Sequence, residues 1–445
     1  MSRWDVVRLL ELSAPKKIHS KKQRMNVLVT TEERFARGPN GKVWSGGSGS
    51  YSFWTRYLDV FESVTVLARV ADETMISRSW KQADGPGVSF HALPYAVGAG
   101  GHSRQLFSIR RAFRDALNRT DALIVRAFSA IAPHIERQLP PARPFGMELV
   151  GDPYEVFAPG SMQHPMRPIF RWYFTRQLQR QCRKACAVAY VTRHVLQRRY
   201  QSNPNAFSTV YSSIQLGENA FCDTSRTFRF PFHTIRIVSV GSLERPYKGF
   251  DVLIDALAAY RRARGSLDLQ LKIIGEGRCR AALERRVGQL GLGQSISFLG
   301  QLSSGEAVSE ELDRSDLFVL ASRTEGLPRA MIEAMARGLP CIGTNVGGIP
   351  ELLAQDEIVP RDDAHALACL IEAMVTHPDR MNRLSAENLT KAREYHDTRL
   401  SKQRRQFLSV LRDKTEFWSH RLTTTGTLRV NENGASDRFS PRPPV

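Results

Sequence analysis

The sequence predicts an α/β protein of two doubly wound domains that face each other across a cleft. Two observations support this prediction: short apolar segments alternate with helix-like segments along most of the chain, and this pattern restarts after an interruption near residue 230. The length of 445 residues allows two large domains with tails and excludes one small domain. The composition, 42% hydrophobic and 24% charged, is typical of a globular chain.

The first part of the chain contains a basic arm and then a predicted sheet. Residues 1–24 are expected to form the arm, and residues 25–230 the amino-terminal domain. Its predicted strands are the apolar runs 25–31, 64–70, 121–127, 145–151 and 186–192. Strands that alternate with helices indicate a parallel sheet covered on both faces. Pro231 breaks this pattern, which indicates an interdomain connection at 223–233.

The pattern is clearer in residues 231–395, the predicted carboxyl-terminal domain. Its six predicted strands are the apolar runs 235–241, 269–277, 295–300, 316–322, 340–345 and 357–360. In such sheets ligands bind outside the carboxyl ends of the strands, so we expect the loops there to carry the chemistry. Residues 396–414 are predicted to form a helix that returns toward the amino-terminal domain. Residues 415–445 are polar and rich in proline, and are predicted to form a disordered tail.

The net charge of +19 is concentrated in the first half of the chain. Residues 1–230 contain 33 Lys and Arg against 17 Asp and Glu, whereas the remainder contains 30 against 27. A basic face attracts nucleic acid, an anionic membrane surface or phosphorylated substrates. No segment resembles a nucleic-acid-binding module, so we expect no nucleic-acid partner.

The cellular location is predicted from two absences in the sequence. No stretch reaches the 18 or so consecutive apolar residues of a membrane span, and the start of the chain does not read as a secretory signal. The six cysteines lack the spacing of metal ligands and are expected to be free thiols. We therefore expect a cytoplasmic protein, at most peripheral at the inner face of the membrane.

One predicted helix, at 167–186, combines an apolar face with a cationic one. The apolar face consists of Phe170, Tyr173, Phe174, Leu178, Cys182 and Ala185, and the cations roughly opposite are Arg176, Arg180, Arg183 and Lys184. Two interpretations are open. The helix rests on an anionic surface, or it is a core helix with a solvated basic face.

The densest group of candidate site residues follows the run 316–322. Glu325 stands at the strand end, and Glu333 lies in the helix that follows. Gly326 lets the backbone approach a ligand, and Pro328 suits a first helical turn, whose free N–H groups can receive a phosphate. Two carboxylates so placed can accept hydrogen bonds from the hydroxyls of a sugar nucleotide. The alternative is an ordinary strand–helix turn with solvated glutamates.

These residues resemble a known family. EGLPRAMIEAMARGLPCIGTNVGGIPELL (325–353) and VGSLERPYKGFDVLIDAL (240–257) closely resemble the carboxyl-terminal domain of GT-B glycosyltransferases of family four. The resemblance is strong over about 235–395, and the amino-terminal domain matches only in its α/β pattern. It implies a GT-B fold of two Rossmann-like domains and a retaining hexosyltransferase. Such an enzyme moves a sugar from a UDP- or GDP-linked donor to an acceptor hydroxyl without a metal or other cofactor.

The resemblance also implies roles for individual residues. Lys248 matches the family lysine that neutralises the leaving diphosphate, and Glu325 would contact the donor sugar. Arg245 is the candidate for the second cation, since Ser242 stands where the family usually has an arginine. Glu333 would hold the ribose of the donor. The remaining implied donor-binding residues are Gly326, Leu327, Pro328, Gly277, Gly46 and Gly47, the last two in a loop after the first strand that also has flexible-linker composition.

The amino-terminal domain departs from the family, which commonly has a histidine that faces the donor sugar. The strands that would supply it lead to Asp152 and Arg126 instead. Asp152 is a candidate to accept a hydrogen bond from a sugar or acceptor hydroxyl, and Arg126 to hold an acceptor phosphate. An Asx-type turn before Pro153 explains Asp152 at least as well. His134 lies in a helix-like segment and is expected to be structural.

The basic first half suggests an acceptor that is anionic or held at a membrane. A glycan or lipid-linked precursor of a cell-envelope polysaccharide or glycolipid would fit. Two other functions remain open. A GT-B nucleotide-sugar epimerase or hydrolase would keep the donor site and lack an acceptor, whereas a non-enzymatic membrane-surface binding protein of the same fold would not respond to nucleotide.

Overall fold

A computed structural model describes most of the chain. The described residues are 24–77, 80–94, 105–127, 137–140, 142–161, 164–229, 234–263, 267–302 and 305–424. The predictions for the arm before residue 24, for His134 and for the tail beyond residue 424 lie outside them.

The amino-terminal domain contains one large sheet. Its strands are β1 (Asn26–Arg37), β2 (Val43–Ser45), β3 (Ser63–Asp72), β4 (Lys81–Gln82), β5 (Val88–Leu93), β6 (Ala122–Ala127), β7 (Gly146–Leu149), β8 (Ala187–Tyr190) and β9 (Phe207–Val210). The parallel strands lie in the order β5-β3-β1-β6-β7-β8-β9, and the antiparallel strands β2 and β4 extend from the end of β1. The five predicted strands are present, and the sequence analysis missed β2, β4, β5 and β9.

Helices cover this sheet because its central strands are apolar on both faces. Val27, Leu28 and Val29 of β1 are all fully buried, as expected for the middle of a covered parallel sheet. The described helices of this domain are α1 (Tyr51–Trp54), α2 (Leu106–Asn118), α3 (Pro153–Val156), α4 (Arg167–Lys184) and α5 (Val195–Arg199).

The carboxyl-terminal domain contains a six-stranded parallel sheet at the predicted positions. Its strands are β10 (Thr234–Val240), β11 (Asp268–Ile274), β12 (Ile296–Gly300), β13 (Leu317–Leu320), β14 (Cys341–Thr344) and β15 (Ile358–Val359). They lie in the order β12-β11-β10-β13-β14-β15, so the strand order reverses between β10 and β13. Its helices are α6 (Phe250–Arg262), α7 (Arg280–Gln289), α8 (Gly305–Asp313), α9 (Arg329–Ala336), α10 (Ala364–Val375) and α11 (Pro378–Arg393). The reversal is where doubly wound sheets bind ligands.

A long helix, α12 (Asp397–Thr424), ends the described chain and packs on the amino-terminal sheet. Phe407 and Leu411 lie against Gly146 of β7, and the guanidinium of Arg143 lies 5.5 Å from the ring of Trp418. The predicted return of this helix is therefore present. The predicted start of the tail at 415 is wrong, because Thr415 is fully buried and the packing continues to Trp418. Among the described helices, none has the length and apolar character needed to cross a membrane.

Candidate active site

The two domains touch at a point where a glycine of one meets the backbone of the other. A Cβ atom on Gly326, just past β13, would lie 2.5 Å from the carbonyl oxygen of Val150, just past β7. No side chain fits at that distance, so the close approach requires glycine here. The carbonyl of Gly326 accepts a hydrogen bond of 2.7 Å from the N–H of Gly348. The predicted ligand-facing Gly326 is thus part of the contact between the domains.

Lys248 and Glu325 form an ion pair beside this contact. Lys248 Nζ donates to Glu325 Oε1 over 2.6 Å, and Ser322 Oγ donates to the same oxygen over 2.7 Å. Both charged side chains are largely buried. Lys248 comes from the loop after β10 and Glu325 from the loop after β13, so the pair stands at the reversal of strand order. The structure therefore brings together two of the three residues with predicted catalytic roles.

The third, Arg245, lies at the start of the short turn that carries Lys248. Its side chain is exposed, and within the described part of the chain no hydrogen bond or ion pair holds it. An unpaired arginine on the Lys248 turn is available to an anionic ligand. Its role as the second cation stays a prediction.

Glu333, Gly46 and Gly47 line one cleft between the domains, with a volume of about 680 Å³. This volume is in the range of small-molecule sites. Glu333 reaches the cleft from α9, and burial raises the pKa of its carboxyl group. Lys81 and Asn219 also line the cleft, and the sequence analysis missed both. Lys81 lies in the two-residue strand β4, which leaves no periodic signal in the sequence.

The loop of Gly46 and Gly47 differs from the prediction in one respect. It follows β2 rather than the first strand, because β1 turns back on itself through the antiparallel pairing with β2. Glu33 of β1 holds the loop: its Oε1 accepts hydrogen bonds from Ser45 Oγ at 2.5 Å and from the N–H of Gly49 at 2.9 Å. These bonds favour an ordered loop over a flexible linker.

The other predicted donor-binding residues lie in two loops, one between β13 and α9 and one after β11. Leu327 is buried, and Pro328 precedes the first turn of α9 instead of forming part of it. Gly277 packs against the chain after β10, where a Cβ atom would lie 2.1 Å from the nitrogen of Glu244 and the φ angle is +151°. Backbone packing therefore accounts for Gly277. The contacts of these three residues with a donor stay predictions.

Asp152 serves the internal structure of the amino-terminal domain. Its buried carboxylate accepts hydrogen bonds from the N–H of Tyr154 at 2.9 Å and from the hydroxyl of Tyr200 at 2.5 Å, and it pairs with Arg199. The first bond is the expected Asx-type turn, and it caps the short helix α3. The prediction that Asp152 contacts a sugar or acceptor hydroxyl is not supported, since its carboxylate already has three internal partners.

Arg126 lies in a buried cluster around Glu148 of β7. Glu148 accepts hydrogen bonds from Arg126 Nη1 at 2.9 Å, from the hydroxyl of Tyr57 at 2.9 Å and from that of Tyr211 at 2.8 Å. The guanidinium of Arg126 also lies over the ring of Phe53. The sequence analysis missed Glu148, although a lone carboxylate within an apolar strand could have revealed it. That Arg126 binds an acceptor phosphate stays a prediction.

Two further arginines approach this cluster. The guanidinium of Arg56 lies 4.0 Å from the centroid of the Phe53 ring, and burial lowers the pKa of Arg56 to about 10. Arg404 of α12 is buried near Arg56. The Nε atoms of both arginines have no hydrogen-bond partner among the described residues. The cluster therefore contains more positive than negative charge.

Metal ligands are a separate question. Within the described ranges, no group of three or more His, Cys, Asp or Glu side chains is arranged to hold a metal ion. The expectation of a metal-independent reaction stays a prediction.

Comparison with known proteins relates this geometry to a family. Residues 234–377 match the family model described as "Glycosyl transferases group 1". Protein CapJ of Staphylococcus aureus is 24% identical over 336 residues, which cover 73% of this chain and 81% of CapJ. The amylovoran biosynthesis glycosyltransferase AmsK of Erwinia amylovora is 34% identical over 146 residues, which cover 31% of this chain and 35% of AmsK.

Solved structures match over most of the chain. Sucrose-phosphate synthase from Thermosynechococcus elongatus matches with a TM-score of 0.65 and 16% identity, over 87% of this chain and 99% of that one. HepE of Anabaena, in complex with UDP and glucose, matches with a TM-score of 0.59 and 16% identity, over 87% of this chain and 100% of that one. The predicted fold class is confirmed. The chain has the GT-B fold, and its carboxyl-terminal sheet lies in a segment that matches the group 1 glycosyl transferases.

Proposed function

We propose that this protein is a retaining glycosyltransferase that transfers a hexose from a UDP- or GDP-linked donor to a hydroxyl group of a glycan or lipid-linked acceptor. The observation that carries the proposal is the largely buried Lys248–Glu325 pair at the reversal of strand order, next to the contact between the domains. The similarity of residues 234–377 to group 1 glycosyl transferases supports it independently.

The charges at this position suit the departure of a nucleoside diphosphate. In the proposed reaction the acceptor oxygen forms a bond to the anomeric carbon, the bond from that carbon to the diphosphate oxygen breaks, and the acceptor proton passes to the leaving phosphate. Negative charge then develops on the diphosphate, where a fixed cation stabilises it. Lys248 would supply that cation, with Arg245 as the second. Glu325 would orient Lys248 and contact the sugar.

The cleft lined by Glu333, Gly46 and Gly47 suits the rest of the donor. A carboxylate can accept hydrogen bonds from both ribose hydroxyls, and backbone N–H groups of a glycine loop can approach phosphate oxygens. The described contacts of Glu33 keep this loop ordered before a ligand arrives. HepE, which shares the fold, binds UDP and glucose. We expect transfer to need no divalent cation, as measured by activity in the presence of EDTA.

The acceptor is proposed from charge and from one relative. The first 230 residues carry a net excess of 16 positive charges, and AmsK acts in amylovoran biosynthesis. Together they favour an anionic or membrane-held acceptor in the synthesis of a cell-envelope polysaccharide or glycolipid.

Thermal unfolding with UDP, GDP and ADP and their sugar conjugates tests the donor site. A ligand at a concentration of about 100 times its Kd adds roughly 2.7 kcal/mol to the free energy of unfolding. We expect one base to stabilise the wild-type protein and to stabilise Glu333→Ala and Lys248→Ala variants much less. The same stabilisation in both variants would contradict the proposed site. Turnover of the sugar nucleotide without any acceptor would instead favour an epimerase or a hydrolase.

A further inference from the structure

We infer that the outer face of α4 is a docking surface for an anionic phospholipid bilayer. The benefit to catalysis rests on the proposed function, because a membrane-held acceptor needs an enzyme at the membrane. The binding itself follows from the surface chemistry of this helix alone. We call the exposed face, defined by Met166, Ile169, Trp172, Tyr173, Arg176 and Arg180, the α4 surface.

Large apolar side chains are unusually exposed at the start of this helix. Met166 is 47% exposed, Ile169 57%, Trp172 63% and Tyr173 42%. These four make up half of the large hydrophobic residues that are exposed in the described part of the chain. Apolar side chains concentrated in one place on a surface indicate an interaction site, whereas scattered ones need no explanation.

Apart from Tyr173, the exposed apolar residues are not those that the sequence analysis placed on the apolar face. Leu178, Cys182 and Ala185 are buried in the core, and the ring of Phe174 stacks on that of Phe157 at 5.5 Å. The inner face is therefore occupied by the protein itself. Trp172 lies on the outer face. Arg176 and Arg180 follow it at intervals of four residues, so the aromatic ring and the two cations share one side of the helix. The interpretation as a core helix is confirmed for the inner face, and the interpretation as a surface-resting helix stays a prediction for the outer face.

Two depressions that are both lined by Trp172 extend this chemistry. One, of about 530 Å³, is lined by Arg137, Tyr173, Arg180 and Lys184, and both depressions share Trp172 and Arg176. The other, of about 600 Å³, is lined by aromatic residues and by Arg167 and Arg171. Among the residues that the structure describes, no carboxylate lines either one.

A bilayer is the occupant that these features fit best. Aromatic rings with one polar edge favour the level of lipid headgroups, and a cluster of Lys and Arg beside them attracts anionic headgroups. An acidic protein would match the charge but would not require the exposed bulky apolar side chains beside the arginines. Lipid acyl chains accept such side chains, because apolar surface leaves water when they insert.

The α4 surface is connected to the contact between the domains. Tyr154 and Phe157 line the second depression, and they follow Val150, which touches Gly326, by a few residues. Glu155, between them, lies 3.7 Å from Arg361 of the other domain. Docking of the α4 surface would therefore hold the cleft close to the headgroups, where a lipid-linked acceptor is found.

Sedimentation of the full-length protein with vesicles tests the inference. Vesicles of phosphatidylcholine are compared with vesicles that also contain phosphatidylglycerol. We expect the wild-type protein to sediment with the anionic vesicles only. The Trp172→Glu variant should bind these vesicles at least about tenfold more weakly. The matched control is Phe417→Glu on α12, where a 62% exposed ring is replaced by the same charge and binding should not change. Equal binding by Trp172→Glu and the wild type would overturn the inference.

Quenching by lipids brominated in their acyl chains gives a second readout that does not depend on affinity. We expect bromolipid to quench wild-type fluorescence and to quench Trp172→Phe less. Binding to soluble polyglutamate with no quenching by bromolipid would identify an acidic macromolecule as the partner and would overturn the inference. The nucleotide-induced thermal shift is measured on the same variants. If the protein binds vesicles but no nucleotide, the docking surface is supported and the proposed function is contradicted.

Discussion

The two domains share an architecture but differ in how they carry charge and in how far their sequences reveal function. The carboxyl-terminal half is close to neutral, and its candidate cation Lys248 has one carboxylate partner, Glu325. In the amino-terminal domain Glu148 is the shared partner of Arg126, Tyr57 and Tyr211, and Arg56 and Arg404 lie nearby with unsatisfied nitrogens. A site built on loops after neighbouring parallel strands leaves short motifs in the sequence, whereas a cluster of buried charges from distant parts of the chain does not.

The largest effect is expected from the buried cluster of the amino-terminal domain. Glu148→Ala should lower the free energy of unfolding by about 3–5 kcal/mol, because Arg126 and two tyrosine hydroxyls lose their acceptor inside the protein. Urea denaturation measures this change. Glu387→Ala, which breaks the exposed pair with Arg383, is the control and should change stability little. A similar small change for Glu148→Ala would show that the cluster does not hold this domain together.

The carboxyl-terminal pair should matter for rate more than for folding. Lys248→Ala is expected to lower kcat for sugar transfer by about 100- to 1,000-fold, because a fixed cation no longer faces the leaving diphosphate. Lys272→Ala is a matched control, since Lys272 also binds a glutamate, Glu311, at 2.7 Å but lies on β11 away from the loop of Lys248. Equal activities of the two variants would remove Lys248 from the catalytic site.

The contact between the domains can be disturbed without removing a charge. Gly326→Ala places a methyl group within 2.5 Å of the Val150 carbonyl, so the two backbones must move apart. A displacement of this kind should lower kcat/KM by about 10- to 100-fold, since the groups of both domains lose their alignment. Gly293→Ala has open space around the added methyl group and serves as the control. Unchanged kcat/KM in Gly326→Ala would contradict the need for this close approach.

The smallest effect concerns the pH dependence of stability in the carboxyl-terminal domain. Burial, together with Asp356, raises the pKa of Glu357 from its ordinary value of about 4.5 to about 7. A carboxyl group whose pKa is raised by folding stabilises the fold fully when the pH lies below its pKa in the unfolded chain. That stabilisation is lost as the pH rises through its pKa in the folded protein. The melting temperature should therefore fall between pH 4.5 and 7, and Glu357→Gln should reduce this fall. An identical fall in both proteins would contradict the assignment.

Part of the candidate site could be predicted because it is local in sequence. Glu325 and Glu333 lie eight positions apart on one strand–helix unit, and Lys248 follows the first strand of the same sheet. The loop of Gly46 and Gly47 is expected after the first strand but follows β2. The antiparallel turn between β1 and β2 does not follow from the alternation of helices and strands. For Asp152 the sequence leaves a ligand contact and an Asx-type turn both open, because its partners Arg199 and Tyr200 lie nearly 50 positions further along the chain.

The sequence by itself determined the alternation of strands and helices, the six strands of the second sheet and the spacing of its site residues. These properties follow from periodicity and local turn chemistry, which neighbouring residues express together. Only the tertiary structure decided which face of α4 is covered, how Glu148 meets Tyr57 from 91 positions away, and that Gly326 touches Val150. Periodicity shows that a helix has two faces, but which face is buried depends on the elements that pack against it.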